Sequence, residues 1–330
     1  MTLPPARPRA PDAFASFDLD SLTSGAARMR PERLALSCAS GLSLTFAELD
    51  ERASSLAAHL SAAGLAPGDC LLISCGAGAA PFIAMIGAVR AGLDVALAPL
   101  HLDAGALAAF ARSAKACALA GETHYTGVNV AECMLGAAAL APDVRILFNL
   151  SQQVCDEAAM LAPMQLAAQP APRRVRAPGD CSMLTLEGGV MRSHSQQSLV
   201  SAGLELLSRA RIGMKDPIFT TLAPVRFGAL AAGPFAALLA GCALHCHAPF
   251  DAQRFLVELD AMAPAHLVAP WALAKLVSGE GFAAGAALAS LMATGAPASA
   301  NTNASGATPI IDIDALAGFA GGARMSDTGR

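Results

Sequence analysis

The sequence predicts an α/β fold with two βαβ-built, largely parallel sheets that are covered by helices. Three observations support this prediction. From residue 44 onward, helical patterns alternate with short apolar runs, which is the order expected of βαβ units. The chain has 330 residues, 54% of them hydrophobic and only 15% charged, so it can bury more than one sheet. Glycine or proline stands at several junctions between a predicted helix and the next strand.

The elements of the first half follow from capping and breaking residues. Thr45 and Glu48 have the spacing of a capping box, which predicts a helix from residue 46 to about 63, and Gly64 ends it. The pattern then predicts a strand at 70–75, a helix at 81–91, a strand at 94–99, a helix at 103–114, and strands at 116–120 and 144–148.

The second half alternates in the same way. Its pattern predicts a helix at 196–210, a strand at 218–222, a helix at 228–240, a strand at 242–246, a helix at 252–261, a strand at 266–269, a helix at 271–278, and strands at 288–294 and 309–313. A proline-rich stretch at 167–178 indicates a boundary. We therefore expect a disordered lead-in at 1–30, a first α/β subdomain at 31–170 and a second one, with the crevice, at 171–330.

Composition excludes several classes of function. The net charge is −4 and basic residues cluster only briefly, at 172–177, so nucleic acid is not an expected partner. The nine cysteines are scattered and odd in number, which favours free thiols in a reducing cytoplasm. The Pro- and Arg-rich N-terminus lacks the apolar core of a signal peptide. Residues 227–250 are uncharged, but they are rich in Ala and Gly and contain Pro234, so we predict a buried helix and strand and no membrane span.

The segment 181–194 contains an apolar strand, the pair Gly188-Gly189 and a polar helix start. A loop that wraps a triphosphate needs several Gly, Ser or Thr residues whose N–H groups turn inward, together with a cation. Here the stretch between strand and helix is short, contains no lysine and carries Glu187. It could bind little more than one anion.

Several short motifs follow one another in a characteristic order. They lie at 44–60, 64–69, 88–92, 249–251, 268–270 and 294–297. In this order, residues 44–318 resemble the adenylate-forming superfamily of acyl-CoA synthetases, peptide-synthetase adenylation domains and luciferases. The resemblance implies ATP-dependent activation of a carboxylate to an acyl-adenylate, followed by transfer to a thiol such as coenzyme A. It also implies the fold of the family's N-terminal domain, with the mobile C-terminal domain lacking after Arg330.

The resemblance also assigns residues to a site. The family's phosphate loop corresponds to a shortened 185–189, and its adenine-side Gly-Ala-Pro corresponds to 295–297. The nucleotide-binding remnant is therefore Thr185, Gly188, Gly189, Gly295, Ala296 and Pro297. Arg226 takes approximately the place of the family's pocket-wall histidine. The acyl pocket is assigned to Arg226, Phe227, Gly228 and Trp271; for Trp271, core packing is an equally good interpretation.

The same resemblance shows what the chain has lost. The family's aromatic-Gly-x-Thr-Glu motif corresponds to 314–318, which lacks the metal-binding glutamate and the aromatic residue. Glu187 places a negative charge where phosphates would lie, and two unit charges about 4 Å apart repel by about 4 kcal/mol at an effective dielectric near 20. We therefore expect no catalytic residue, weak binding of ATP or AMP at most, and no Mg²⁺.

Three functions follow from these expectations. The first is a degenerate, weak or inactive pseudoenzyme that binds a carboxylic acid or acyl ligand and acts as a partner subunit, with a protein covering the face of the lost C-terminal domain. The alternative is an ATP-dependent carboxylate–CoA ligase in which Arg192 or Arg226 supplies the cation and another chain completes the site. The third is a protein-interaction module with an exposed apolar face.

Two further patterns are assigned structural roles. In 242–247, the cysteines and the histidines face opposite sides of a predicted strand, so no metal site is predicted; instead we expect a buried strand whose histidines approach the pocket. At 193–195, adjacent serines flank His194 without an orienting third group, so we expect Ser193 or Ser195 to be a helix N-cap.

Overall fold

The computed structural model describes residues 17–122, 124–150, 162–163, 180–278, 288–296 and 310–318. Its strands are β1 (Leu34–Cys38), β2 (Ser43–Thr45), β3 (Cys70–Cys75), β4 (Asp94–Pro99), β5 (Ala116–Gly121), β6 (His124–Tyr125), β7 (Val128–Asn129), β8 (Ile146–Asn149), β9 (Ala162–Pro163), β10 (Ser182–Glu187), β11 (Val190–Ser195), β12 (Ile218–Thr220), β13 (Leu244–Cys246), β14 (Ala265–Pro270), β15 (Leu288–Thr294) and β16 (Ile310–Asp312).

The α-helices are α1 (Leu19–Met29), α2 (Phe46–Ala62), α3 (Ala79–Arg90), α4 (Ala104–Ser113), α5 (Val130–Leu140), α6 (Gln196–Ala210), α7 (Phe227–Leu230), α8 (Ala236–Ala240), α9 (Ala252–Ala261) and α10 (Trp271–Ser278). A π-helical turn, Ala231–Phe235, joins α7 to α8, and a 3-10 helix spans Asp314–Gly318.

Within the described residues, the strands form two seven-stranded sheets and one two-stranded ribbon. Sheet I has the order β16-β15-β14-β12-β13-β1-β2, and sheet II has the order β11-β10-β4-β3-β5-β8-β9. Every pairing in sheet I is parallel except that of β1 with β2, and every pairing in sheet II is parallel except that of β10 with β11. The central strands β3 and β5 are buried along their whole length, as expected of a parallel sheet covered on both faces. The predicted fold class is confirmed.

The capping box that predicts α2 is present. The Thr45 hydroxyl accepts the Glu48 N–H at 3.2 Å, and the Glu48 carboxylate accepts the Thr45 N–H at 2.7 Å. The predicted helices at 196–210, 252–261 and 271–278 have the predicted bounds. The described cysteines are free thiols, and all but one of them are buried, as predicted.

The predicted lead-in at 1–30 needs correction over its last part, because Leu19–Met29 forms α1. Asp18 caps this helix by accepting the Ser21 N–H at 2.7 Å, and Leu19 and Ala26 are buried. The pair Asp18 and Ser21 forms a capping box, a local signal that could have identified the helix, and the helix packs on α2 and α3.

The predicted boundary between two subdomains, after residue 170, does not separate the two sheets. Strands β1 and β2 precede that point and belong to sheet I with β12–β16, whereas β10 and β11 follow it and belong to sheet II. Each sheet therefore combines segments that are far apart in sequence.

The predicted helix at 228–240 and the strand at 242–246 differ in detail. The helix begins at Phe227 and widens into the π-turn around Pro234, which has no N–H to donate. The strand begins only at Leu244. Gly241 ends α8 with a left-handed φ of 65°, and the Cys242 N–H still donates to the carbonyl of Ala237 in that helix. Among the described helices, none combines the length and the apolar character that crossing a bilayer would require.

Candidate functional site

The carboxyl ends of three parallel strands meet at one edge of sheet I. Pro270 of β14 is paired with Thr294 of β15, and Ala293 of β15 is paired with Asp312 of β16. Trp271 and Gly295 follow directly after β14 and β15, and Asp314 lies two residues after the end of β16. We call this region the crevice edge. Open parallel sheets bind ligands outside the carboxyl ends of their strands, so this edge is the candidate site.

Asp314 is the centre of a hydrogen-bond group at the crevice edge. Both of its carboxylate oxygens lie 2.8 Å from the Thr294 hydroxyl, which donates to them. The same carboxylate accepts the Gly295 N–H at 2.7 Å. The Asp314 carboxylate therefore fixes the turn after β15, in which Gly295 adopts a left-handed φ of 77°.

Arg226 reaches the crevice edge from the loop after β12. Its Nη1 donates to the Thr294 hydroxyl at 3.1 Å and lies 3.6 Å from a carboxylate oxygen of Asp314. The side chains of Arg226 and Asp314 are 47% and 37% exposed, so this ion pair is accessible to solvent. Such pairs contribute little to stability, so an anionic ligand could compete with Asp314 for the guanidinium.

Gly228 brings the start of α7 against the crevice edge. A Cβ atom at this position would lie 2.7 Å from the carbonyl oxygen of Ile313, immediately before Asp314. A side chain cannot be accommodated there without a shift of the backbone. The predicted acyl-pocket residues Arg226 and Gly228 are thus brought beside Asp314.

The N-terminus of the helical segment 227–240 is occupied by a carboxylate of the protein. Glu187 Oε1 accepts the backbone N–H of Phe227 at 2.8 Å. Free N–H groups at a helix N-terminus and the helix dipole favour an anion, which in nucleotide-binding proteins is commonly a phosphate. In this chain, Glu187 supplies that anion.

Glu187 reaches this position because β10 continues through a tight hairpin. Gly188 and Gly189 have φ values of 59° and 79°, and Glu187 is paired with Val190, which defines a two-residue turn of type I′. The predicted transition from a strand through a short loop to a helix is therefore corrected, since 190–195 forms the second strand of the hairpin. The helix α6 begins at Gln196, and the Ser195 hydroxyl caps it by accepting the Ser198 N–H at 3.1 Å, which confirms the N-cap prediction for Ser195.

Thr185 lies inside this hairpin. Its side chain is fully buried, and its hydroxyl lies 2.8 Å from Nε2 of His194 on the opposite strand. Burial lowers the pKa of His194, and the Glu187 carboxylate 3.9 Å away offsets this only in part. The Thr185 hydroxyl is thus committed to a contact within the protein, whereas Gly188 and Gly189 are exposed.

The remaining predicted site residues have the following places. Trp271 is half-buried and packs against the core cluster that contains Phe219, Phe255 and Leu267. Ala296 follows Gly295 and is half-buried, and Pro297 lies outside the described residues. Sequence reasoning did not identify the roles of Thr294 and Asp314. Thr294 is the last residue of the predicted strand 288–294 and Asp314 comes immediately after the predicted strand 309–313, and these positions at strand ends are the signal that could have found them.

Comparison with known proteins agrees with this architecture. The family of AMP-binding enzymes matches residues 24–313, and the chain belongs to this family. No curated protein is significantly similar in sequence.

Three solved structures illustrate the similarity of fold. A proposed long-chain-fatty-acid CoA ligase from Rhodopseudomonas palustris has a TM-score of 0.73 and 18% identity, over 86% of this chain and 71% of that one. MbtA from Mycobacterium smegmatis has a TM-score of 0.72 and 23% identity, over 86% and 53%. Acetoacetyl-CoA synthetase from Streptomyces lividans has a TM-score of 0.71 and 18% identity, over 85% and 47%. The chain spans about half the length of the last two.

Proposed function

We propose that this AMP-binding domain holds an acyl or nucleotide ligand at the crevice edge and is weak or inactive in forming acyl-adenylates. In this proposal the domain acts as a binding or partner subunit. The activity of a complete adenylate-forming enzyme is not assigned to the chain.

One contact carries the proposal, namely the hydrogen bond from the Phe227 N–H to Glu187. An incoming phosphate would have to displace this carboxylate or lie close to its charge. At a separation of about 4 Å and an effective dielectric near 20, the repulsion is about 4 kcal/mol for each pair of unit charges. The penalty grows with the charge of the ligand, so it is larger for ATP than for AMP.

The charges around Arg226 support the same conclusion. The guanidinium is already beside Asp314, so binding a phosphate there would require competition with that carboxylate. No lysine is present in the hairpin sequence 182–195 that could replace the family's loop lysine. A ligand with a single negative group, such as a carboxylic acid or AMP, fits this balance of charge better than a triphosphate.

Isothermal titration of the purified chain with AMP and with Mg²⁺–ATP tests the proposal. We expect AMP to bind at least as tightly as ATP, and a carboxylic acid ligand to raise the melting temperature without nucleotide. ATP that binds at least tenfold more tightly than AMP would overturn the proposal. If neither nucleotide binds, the nucleotide part of the proposal fails, and the thermal shift with carboxylic acids decides the acyl part.

The competing function is an ATP-dependent carboxylate–CoA ligase that another chain completes. The exposed guanidinium of Arg226 favours it, because a cation at this edge could contact a phosphate once Asp314 is released. This function predicts the opposite order of nucleotide affinities and a second chain that co-purifies from the native source. Substituting Arg226→Gln would then abolish ATP binding, whereas our proposal expects only a modest effect.

A further inference from the structure

A group of chemically active side chains lies on β13 and α9 and shares no residue with the crevice edge. Nε2 of His245 lies 2.9 Å from Oε2 of Glu258, and Nδ1 of His247 lies 2.8 Å from the same oxygen. These three atoms, each of which could be a ligand of a metal ion, all lie within 4.8 Å of one another. His245 and His247 share one face of β13, away from Cys242 and Cys246, as the alternation of a strand requires.

We propose that His245, His247 and Glu258 form a binding site for a divalent transition metal, with Zn²⁺ as the preferred ion. Two imidazole nitrogens and one carboxylate oxygen are a ligand set that zinc accepts, with water in the fourth position. Zinc bonds of about 2.0–2.1 Å in a tetrahedral site place the ligand atoms about 3.3 Å apart. The observed separations from Oε2 therefore need to open by about half an ångström, while the two imidazole nitrogens, which lie within 4.8 Å of each other, need to come to the same spacing.

The outer partners of both histidines allow the change of tautomer that metal binding requires. Without metal, the Glu258 carboxylate accepts N–H groups from both rings. The Ser37 hydroxyl lies 2.9 Å from Nδ1 of His245 and can either donate to it or accept from it. At Nε2 of His247, the Asp251 backbone offers its N–H at 3.2 Å and its carbonyl at 3.1 Å.

When a metal occupies the inner nitrogens, each ring proton moves to its outer nitrogen. His245 then donates to the Ser37 oxygen and His247 donates to the Asp251 carbonyl. Such outer hydrogen bonds orient metal-binding histidines and raise their affinity for the metal. In each arrangement the ring N–H groups have hydrogen-bond acceptors, namely the Glu258 carboxylate without metal and the Ser37 oxygen and Asp251 carbonyl with it.

Aromatic packing holds the two rings in place. The Phe219 ring lies 4.8 Å from the His245 ring and 5.7 Å from the His247 ring, and Phe255 meets the His247 ring edge-on at 5.6 Å. Both histidines are buried, whereas the Glu258 side chain is 17% exposed and provides the side from which an ion can enter. The ligands are thus preorganised in an apolar surrounding.

The positive charge of Arg254 disfavours a metal cation bound by His245, His247 and Glu258. Its Nε donates to Oε1 of Glu258 at 2.8 Å, while its side chain is 52% exposed and free to turn towards solvent. Removing this positive charge should therefore tighten metal binding. A purely structural histidine–carboxylate network predicts no such gain.

The test is a zinc titration of untagged, metal-free protein against a chromophoric chelator. We expect one Zn²⁺ per chain, at least a tenfold loss of affinity in His247→Ala and Glu258→Gln, and a severalfold gain in Arg254→Gln. His101→Ala, at an exposed histidine elsewhere, is the matched control and should bind like the wild type. The absence of saturable binding at micromolar zinc, or equal affinity in all variants, would overturn the proposal.

Cobalt spectroscopy of the wild-type protein shows which residue types bind the ion, even if the variants of the three ligand residues fail to fold. Co²⁺ bound by two imidazoles and a carboxylate gives visible ligand-field bands without the near-ultraviolet charge-transfer band of a thiolate. That spectrum would support the proposal. A thiolate band would assign the ion to a cysteine and refute the site.

Discussion

The substitution Glu187→Gln separates the charge of this residue from its hydrogen bond. Glutamine keeps an oxygen that can accept the Phe227 N–H, now at 2.8 Å, but removes the negative charge. The repulsion of about 4 kcal/mol assumes an effective dielectric near 20, as for charge pairs near a protein surface, and no screening by salt. The Glu187 side chain is 28% exposed, so solvent screens part of it.

We therefore expect Glu187→Gln to tighten ATP binding by roughly tenfold to a hundredfold, since about 1.4 kcal/mol corresponds to a factor of ten. AMP should gain less because it carries a smaller charge. Isothermal titration of both nucleotides measures the difference.

Glu205→Gln is the matched control for this experiment. Glu205 lies on α6, pairs with Arg209 and has a side chain that is 32% exposed. Its substitution removes the same charge as Glu187→Gln, at a similar exposure but away from the hairpin. Nucleotide affinities in this variant should not change. The reasoning would be refuted if Glu187→Gln left the ATP affinity unchanged, or if both substitutions altered it equally.

Three further predictions concern stability. Arg90→Met should lower the free energy of unfolding by about 3–5 kcal/mol in urea denaturation, because the buried Asp20 would lose the guanidinium that lies 2.7 Å away. Asp20→Asn added to this variant should recover part of the loss, and no recovery would contradict the account. Gly228→Ala should cost about 1–3 kcal/mol through the clash with Ile313, whereas a neutral effect would show that the backbone gives way. Burial lowers the pKa of His266 below 6.5. The unfolded chain therefore takes up the proton first, and the free energy of unfolding falls as the pH drops below 6.5. His266→Phe should flatten this fall, and an unchanged slope would exclude His266 as its source.

Local signals in the sequence predicted most of the elements. The capping box at Thr45 and the glycines that end helices are interactions within a few residues, so they can be recognised without the fold. The buried parallel strands are continuous apolar runs between such signals. These features allowed the helices at 196–210 and 252–261 to be bounded correctly.

Features that depend on distant partners were missed. Strand β11 is mostly polar and exposed, and only its pairing with β10 makes it a strand. Helix α1 depends on packing and on the ion pair between Asp20 and Arg90, which are far apart in the chain. The role of Asp314 depends on the parallel register of β15 and β16, which no local pattern specifies.

The contacts of the charged groups also depend on partners that are distant in sequence. Glu187 was recognised as a repulsive charge, but its bond to the Phe227 N–H joins sheet II to the segment after β12 and could not be inferred from spacing. His245 and His247 were correctly placed on one face of a strand. Their carboxylate partner, Glu258, comes from α9, and only the packing of that helix brings the three together.

ATP–pyrophosphate exchange with a panel of carboxylic acids tests the central claim most directly. The claim is that Glu187 occupies the anion position at the start of the segment 227–240 and prevents productive binding of a triphosphate. We predict that exchange by the purified chain stays at, or barely above, the level of a no-enzyme blank with every acid. Robust, acid-dependent exchange by the wild-type chain would contradict the claim.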